Sequence, residues 1–384
     1  MLRPTLPPEV IDLVIDAAAE LRREDRSLPY RCALVSRQWL PRSRFHSFAR
    51  IHLELAYRDT RVASFLALLC TGAATFLSSI RHLKLVCLTQ EQLPTPVLAA
   101  LVAGGVRAPS LEITTHDILK GGDLDSFAHE FPFVKHLDLA AGNIRAGAPH
   151  ETFRFLGMFP ALQSLVLNAW CPGARRISVL PPQIAQRAFP SGLQELRIRI
   201  PSFLEHIIPL ERESGAELRS LCIYADQRRY THLVNEYLAL PHIARSLTSL
   251  TLHIRASDVE ASDQVNLSSL RALRHLGIGT GTAVYTTPTT PQAALHILGI
   301  SRLERARLQT LSLFSSLMDA PSEFVVQDVR DWAQLDALLG NHADYPSLQR
   351  VTVQGMYPHT PLLTQVDWLK AALPTLEKRG LLQM

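Results

Sequence analysis

Residues 247–252 read LTSLTL, residues 273–278 LRHLGI and residues 308–313 LQTLSL. Each holds an apolar residue, two others, an apolar residue, one other and a third apolar residue. The pattern stands again as IRHLKL at Ile80, VKHLDL at Val134, LQSLVL at Leu162, LQELRI at Leu193, LRSLCI at Leu218 and LQRVTV at Leu348. A weaker copy, APSLEI, begins at Ala108. The last two apolar positions are two residues apart, so both face one side of a β-strand. Stretches of helical spacing lie between copies, such as Thr152, Phe153, Phe155 and Leu156 before Leu162, and Pro160, Gly192 and Pro346 precede strands. A mean period of about 30 residues marks a repeat architecture. No copy could bury its apolar face alone, so neighbours must stack into one continuous core.

The copies resemble irregular leucine-rich repeats. That resemblance implies an α/β solenoid with a curved parallel sheet on the concave face and helices on the convex face. It spans residues 51–384, the last stretch from about 355 forming a helical cap from Leu362, Leu363, Val366, Trp368, Leu369, Ala372 and Leu373. One departure from the family pattern stands out. The asparagine or cysteine expected after the second strand leucine is mostly missing, with Asn143 and Cys171 one place late and Cys87 one place early.

Residues alternating with the buried ones point outward on the concave sheet. Candidate contacts for a protein target are His82, Lys84, His136, Asp138, Glu195, Arg197, Arg199, Tyr224, His253 and His275; Glu112, Asn168, Phe314, Arg350 and Gln354 face the same way. A mixed polar and aromatic concave surface suits protein recognition. Any solenoid must also place soluble residues there, and for each residue taken singly that plain reading is favoured.

Composition narrows the function. At 384 residues, with 47% apolar and 19% charged residues, the chain has ample apolar surface for a core and is no disordered tail. A net charge of +4 with no basic tract gives no sign of a nucleic-acid partner. Five scattered cysteines, Cys32, Cys70, Cys87, Cys171 and Cys222, with no CxxC pair fit free thiols in a reducing compartment. The N-terminus is too acidic for a signal peptide and no stretch is long and apolar enough for a membrane span, so a cytoplasmic or nuclear protein with no membrane contact is expected. The sequon at Asn266 is then a chance match. Only five of the 39 basic residues are lysines, and none lies between Lys135 and Lys370. Codon bias explains this most simply; depletion of ubiquitin acceptors is the functional reading.

Residues 1–50 differ in kind. LPPEV at Leu6 opens a helix, with proline and Glu9 suited to a first turn. Val10, Leu13, Val14, Ala17, Ala18 and Leu21 form one helical face. A second helix is expected through Tyr30–Leu40, followed by a basic segment, residues 41–50, and the strand-like IHLEL. Fifty residues are too few for a deep core, so this module should dock on a neighbour or a partner.

The opening LPPEV, the central CALVSRQW and the trailing segment with Phe45 and Phe48 resemble an F-box of the diverged type found in fungal F-box proteins. The resemblance implies docking on a Skp-type adaptor, and through it on a cullin–RING ubiquitin ligase. Carried over, Leu6 and Pro7 match the leading adaptor-contacting pair, and Val10, Leu34, Val35 and Trp39 match apolar positions shared between internal packing and that interface. Nine arginines against six acids in residues 1–50 would favour an acidic adaptor.

Catalytic motifs are lacking. There is no Walker sequence, HExxH or GxSxG. Gly277-Ile278-Gly279-Thr280-Gly281 has the spacing GxGxG, and Ile278 already fills a repeat position. Asp123 and Asp125 read as turn residues. His82, His136 and His275 share one repeat position but are too far apart for one metal ion. The expectation is a non-enzymatic substrate receptor of an SCF-type ubiquitin ligase, with no cofactor and a protein target of unknown identity. The alternative is a leucine-rich interaction scaffold whose F-box-like segment binds no adaptor; an enzyme with a concave-face site comes last.

Overall fold

A computed structural model describes residues 6–20, 28–55, 60–70, 76–87, 95–117, 131–143, 155–169, 190–225, 230–255, 265–281, 290–300, 307–315, 326–355 and 366–383. The architecture is α/β. The chain divides into two compact units, residues 1–162 and 163–384. Cys171, Asp123, Asp125, Leu21, Leu362 and Leu363 lie outside the described residues.

The first unit opens with three helices, α1 (Pro8–Glu20), α2 (Leu28–Ala33) and α3 (Leu40–Phe48). Four parallel strands follow, β1 (Arg50–Leu55), β2 (His82–Cys87), β3 (Ser110–Asp117) and β4 (His136–Asn143). Each pairs with its predecessor. Helices α4 (Thr60–Cys70) and α5 (Thr95–Ala103) link β1 to β2 and β2 to β3. The expected second helix is broken: α2 stops at Ala33, a turn carries Leu34 to Trp39, and α3 begins at Leu40. Pro41 is the cause. It lacks an N–H, costs nothing in the first turn and so starts a helix where the sequence reading ended one. α3 is tied to the first repeat by Phe48, which stacks on Phe76 at 4.1 Å. It is tied to α1 by Asp16, whose carboxylate accepts hydrogen bonds from Arg42 Nε and Nη2 at 2.7 Å each and lies 2.7 Å from His46 Nε2. The Arg42 guanidinium, with a smaller contribution from the His46 hydrogen bond, holds the Asp16 pKa down at about 2.

Among its described residues the second unit holds eight strands in chain order. They are β5 (Ser164–Ala169), β6 (Glu195–Ile198), β7 (Ser220–Ala225), β8 (Ser249–Arg255), β9 (His275–Gly281), β10 (Thr310–Ser315), β11 (Arg350–Gly355) and the short β12 (Leu382–Gln383). All pair in parallel. Helices α6 (Leu204–Ser214), α7 (Thr231–Leu238), α8 (Pro241–Ser246), α9 (Thr290–Ile300) and α10 (Val326–Gly340) lie between them. Ten strands fall on the ten sequence copies, β1 is the strand-like IHLEL, and β12 has no counterpart in the repeat pattern. All three apolar positions of every copy are buried, none more than 5% exposed. Burying each such leucine stabilises by about 1.5–3 kcal/mol.

A backbone device repeats at the leading edge of the strands. The carbonyl just before one strand accepts two N–H groups from the next repeat: Gln194 and Glu195 on Gln163, Arg274 and His275 on Thr248, and Gln309 and Thr310 on Arg274. These bonds fix the stacking without help from side chains.

The C-terminal end is closed by reciprocal capping. Asp336 of α10 accepts hydrogen bonds from the N–H groups of Thr375 and Leu376, at the start of helix α12 (Pro374–Lys378), which follows α11 (Val366–Ala372). Arg379 in turn donates to the carbonyls of Leu339 and Gly340, which end α10. Leu369 and Leu373, predicted for the cap, are buried, as is Leu376.

Candidate functional site

Two surfaces carry the predicted contact residues. The first is on the helical module. Ile11 and Ile15 of α1 are buried, one turn apart, while Val10, Leu13 and Val14 are exposed. The face that reads as an apolar stripe therefore points away from the protein. Leu6 is 52% exposed ahead of it, and Leu34 and Val35, in the turn after α2, are 87% and 61% exposed. Pro7 is exposed and Trp39 half-buried. These exposed aliphatics make the module a candidate interaction surface.

The second surface is the outward face of the sheet. In the first unit, register places His82, Ser110 and His136 in one row and Lys84, Glu112 and Asp138 in the next. The groups on β2 and β3 satisfy one another. Lys84 Nζ is ion-paired with Glu112, His82 Nδ1 is 2.8 Å from Ser110 Oγ, and His82 Nε2 is 3.6 Å from Glu112 Oε2. Burial lowers the His82 pKa, with Glu112 opposing. His136 is exposed and Asp138 half-buried.

The second unit is different. Tyr224 of β7 and His253 of β8 are register partners, and their rings stack at 4.2 Å and 13°. His253 also meets Phe314 of β10, at 5.6 Å and 40°, although β9 runs between them. Gly277 and Gly279 permit this. A Cβ on Gly279 would lie 2.7 Å from His253 Nδ1 and 3.0 Å from Phe314 Cβ, and one on Gly277 would lie 2.7 Å from Thr251 Oγ1. The GxGxG segment is thus a notch in the sheet under a ring stack, and Ile278 between the glycines is a buried core residue.

Cations flank the stack. The Arg199 guanidinium lies 5.8 Å from the Tyr224 ring centroid, and the positive charge of Arg197 acts on the Cys222 thiol, opposing its upward shift. Burial, helped by Arg197 and Arg199, pushes the His253 pKa down to about 4, so the imidazole is neutral. Its Nδ1 is buried with no hydrogen-bond partner among the described residues. Burial raises the Cys222 thiol and the Tyr224 hydroxyl above their ordinary values. A thiol raised in this way stays protonated, the opposite of what a nucleophile needs. The arrangement offers aromatic surface and two guanidiniums.

Glu195 and His275 are exposed at the leading ends of β6 and β9, away from the stack's row. The structure thus gathers Arg197, Arg199, Tyr224 and His253, and sets His82 and Lys84 into a separate, self-paired cluster. Sequence reading missed the glycine pair and Cys222. It counted Phe314 among the outward residues without ranking it as a contact. The signal was GIG on an outward row between two aromatics, legible only once the register is known. Among the described residues, no three metal-ligating side chains stand together, and no helix is long and apolar enough to cross a membrane.

No family model matches the chain, and no curated protein is similar to it. Among solved structures it is similar to the crystal structure of the Rad7 and Elc1 complex in yeast. The match has 13% identity and a TM-score of 0.35, and covers 92% of this chain and 90% of that one. A likeness that weak leaves the function to be read from the chain's own residues.

Proposed function

We propose that the protein is a substrate-receptor subunit of an SCF-type cullin–RING ubiquitin ligase. Residues 1–50 would dock on a Skp-type adaptor, and the outward sheet face would hold a protein target. The observation that carries this reading is the exposure of Leu6, Pro7, Val10, Leu34 and Val35. A relic folded into the repeats would have buried these residues. Instead Ile11, Ile15 and Phe48 serve internal packing, and the residues matched to the adaptor contact remain outside. Exposed aliphatics together with a half-buried tryptophan are residues that a groove on a partner could cover.

The target side is read from the Tyr224–His253–Phe314 stack with Arg197 and Arg199. Aromatic residues and arginine dominate the energetic centres of protein interfaces. The receptor would perform no bond chemistry. By holding the target beside the charged ubiquitin-conjugating enzyme it would raise the effective concentration of an acceptor lysine.

The test is co-purification of the full chain with a Skp-type adaptor, beside a Leu34→Asp/Val35→Asp variant and a Tyr224→Ala/Arg199→Ala variant. The adaptor should elute with the wild type and the second variant and be lost from the first. Absence of complex with folded wild-type protein would leave the interaction scaffold as the reading. Loss from both variants would mean the module is not the adaptor's site.

A further inference from the structure

Two cations stand on the outward face of the second unit without an ion-pair partner among the described residues. Arg197 lies on β6 and Arg199 one residue past its end, where the Arg199 N–H still donates to the Leu167 carbonyl of β5 at 2.9 Å. The strand's alternation therefore continues through both, so they face the same way, and both are exposed. Glu195, two residues ahead of Arg197 on the same strand, is exposed and bridges to neither.

The surrounding groups feel this charge. On the His253 imidazole burial has the largest effect, and Arg197 and then Arg199 add to it. On the Cys222 thiol and the Tyr224 hydroxyl burial again leads, and both arginines oppose it. No carboxylate acts on any of the three.

Register sets what lies beside each cation. The row that starts at Arg197 continues through Cys222, Thr251, Gly277 and Ser312, all small side chains or none. The next row, beside Arg199, carries the half-buried rings of Tyr224, His253 and Phe314. A guanidinium fork matches a carboxylate bidentately. Two forks on residues i and i+2 of a strand are about 6.6 Å apart at their backbones. An extended partner segment presents its own residues i and i+2 on one side at the same spacing. Two single charges so placed fit cations in separate rows better than one concentrated dianion does. Single-stranded nucleic acid also stacks on aromatic rings, but it needs cations that track its backbone along the groove. Here both cations sit at one end of the ring stack.

Resting on the reading of this face as the target-holding surface, we propose that it recognises an extended acidic peptide segment. Two carboxylate side chains, two residues apart, are held by Arg197 and Arg199, and an apolar side chain of the same segment packs on the Tyr224–His253–Phe314 rings.

The experiment is fluorescence anisotropy with the full chain at physiological salt (~0.15 M). The probes are a labelled peptide containing Glu-Ser-Glu-Ser-Leu, its counterparts with Gln or Lys in place of Glu, and oligothymidylate. The Glu peptide should bind, and the Gln peptide should bind about ten-fold more weakly or worse, one tenfold step being 1.4 kcal/mol. Arg197→Ala/Arg199→Ala should lose a similar factor for the Glu peptide. Arg197→Glu/Arg199→Glu should reverse the preference, taking the Lys peptide over the Glu peptide. The control is Arg271→Ala/Arg274→Ala, two exposed arginines just ahead of β9, which should change binding by less than about two-fold. Circular dichroism verifies folding of each variant. No binding of the Glu peptide, equal binding of the Glu and Gln peptides, tighter binding of oligothymidylate, or equal loss in both alanine variants overturns the proposal. Adaptor capture on the same preparations keeps the two readings apart. Adaptor retained without acidic-peptide binding sinks this proposal alone, and acidic-peptide binding without an adaptor sinks the ligase reading alone.

Discussion

The helical module and the repeats draw on the same stock of leucine, valine and isoleucine and spend it differently. In the repeats each strand's pair of apolar residues is sealed by the next strand and the helix behind it. Leu221, Leu250, Leu252, Leu276 and Ile278 are essentially without exposure. In the module, Ile11 and Ile15 do the internal packing while Leu13, Val14, Leu34 and Val35 face outward. Stacking gives every repeat a neighbour on each side, whereas three short helices have too little surface to cover one another. The apolar residues left over are where a partner is needed.

The largest effect expected from this contrast is in the repeats. Leu252→Ala, at a fully buried strand position, should cost about 2–5 kcal/mol in chemical denaturation, because a cavity between stacked units cannot collapse. That is a large share of the stability of an ordinary domain. A loss under about 1 kcal/mol would mean the repeats do not share a tightly packed core.

Acid should separate the two regions next. His206 on α6 is buried, and burial pushes its pKa down to about 4. The folded value lies below the unfolded one of about 6.5, so the unfolded chain takes the proton first. Stability is therefore full above pH 6.5 and falls as pH drops toward 4, by on the order of 2–3 kcal/mol. His206→Leu should remove that residue's share of the slope and leave the share of His253, whose pKa burial also pushes down to about 4. In the module the titrating group is Asp16, held at about 2 chiefly by Arg42. Its contribution is present above pH 3.8 and lost as pH falls through 2. Side chains a third exposed limit it to at most about 1 kcal/mol. Urea midpoints followed from pH 7 to 2, for the wild type and Arg42→Ala, would resolve the two windows.

Gly279→Val tests the notch. The new branch would stand against His253 Nδ1 and Phe314 Cβ and drive the rings apart, at a cost of about 1–3 kcal/mol. Tyrosine fluorescence, through Tyr224, should report the lost stack. An unchanged spectrum and stability would show that the rings do not close over the glycines.

Much of this was legible in the sequence, for a definite reason. The repeat positions obey period 2 within strands and recur along the chain, so position alone implied burial, and LQTLSL or LRHLGI could be placed without coordinates. Other features depend on contacts between distant residues. Which outward residues meet depends on register, so the pairing of Tyr224 with His253, and the passage of Phe314 over Gly279, left no local trace. In the module the reverse held: α1 carries apolar residues around most of its circumference, and periodicity could not say that Ile11 and Ile15, not Leu13 and Val14, face inward. The start of α3 at Leu40 was missed because Pro41 serves as a helix start as readily as a stop.

The smallest effect on stability should come from the residues that matter most for the proposed docking. Leu34 is 87% exposed and Val35 61%. Leu34→Ser and Val35→Ser remove no buried contact, and surface changes of this kind stay within about ±0.5 kcal/mol. The same pair should abolish retention of a Skp-type adaptor, since truncating central contacts of an interface costs about 2 kcal/mol or more each. Thermal denaturation and adaptor capture on one preparation would therefore move independently. A pair that lowered the melting temperature as much as Leu252→Ala would show these residues to be internal packing, and the module and the repeats would no longer differ in kind. A pair that changed neither would leave the exposed apolar face without an adaptor to cover it, and the search for its partner would turn to other proteins.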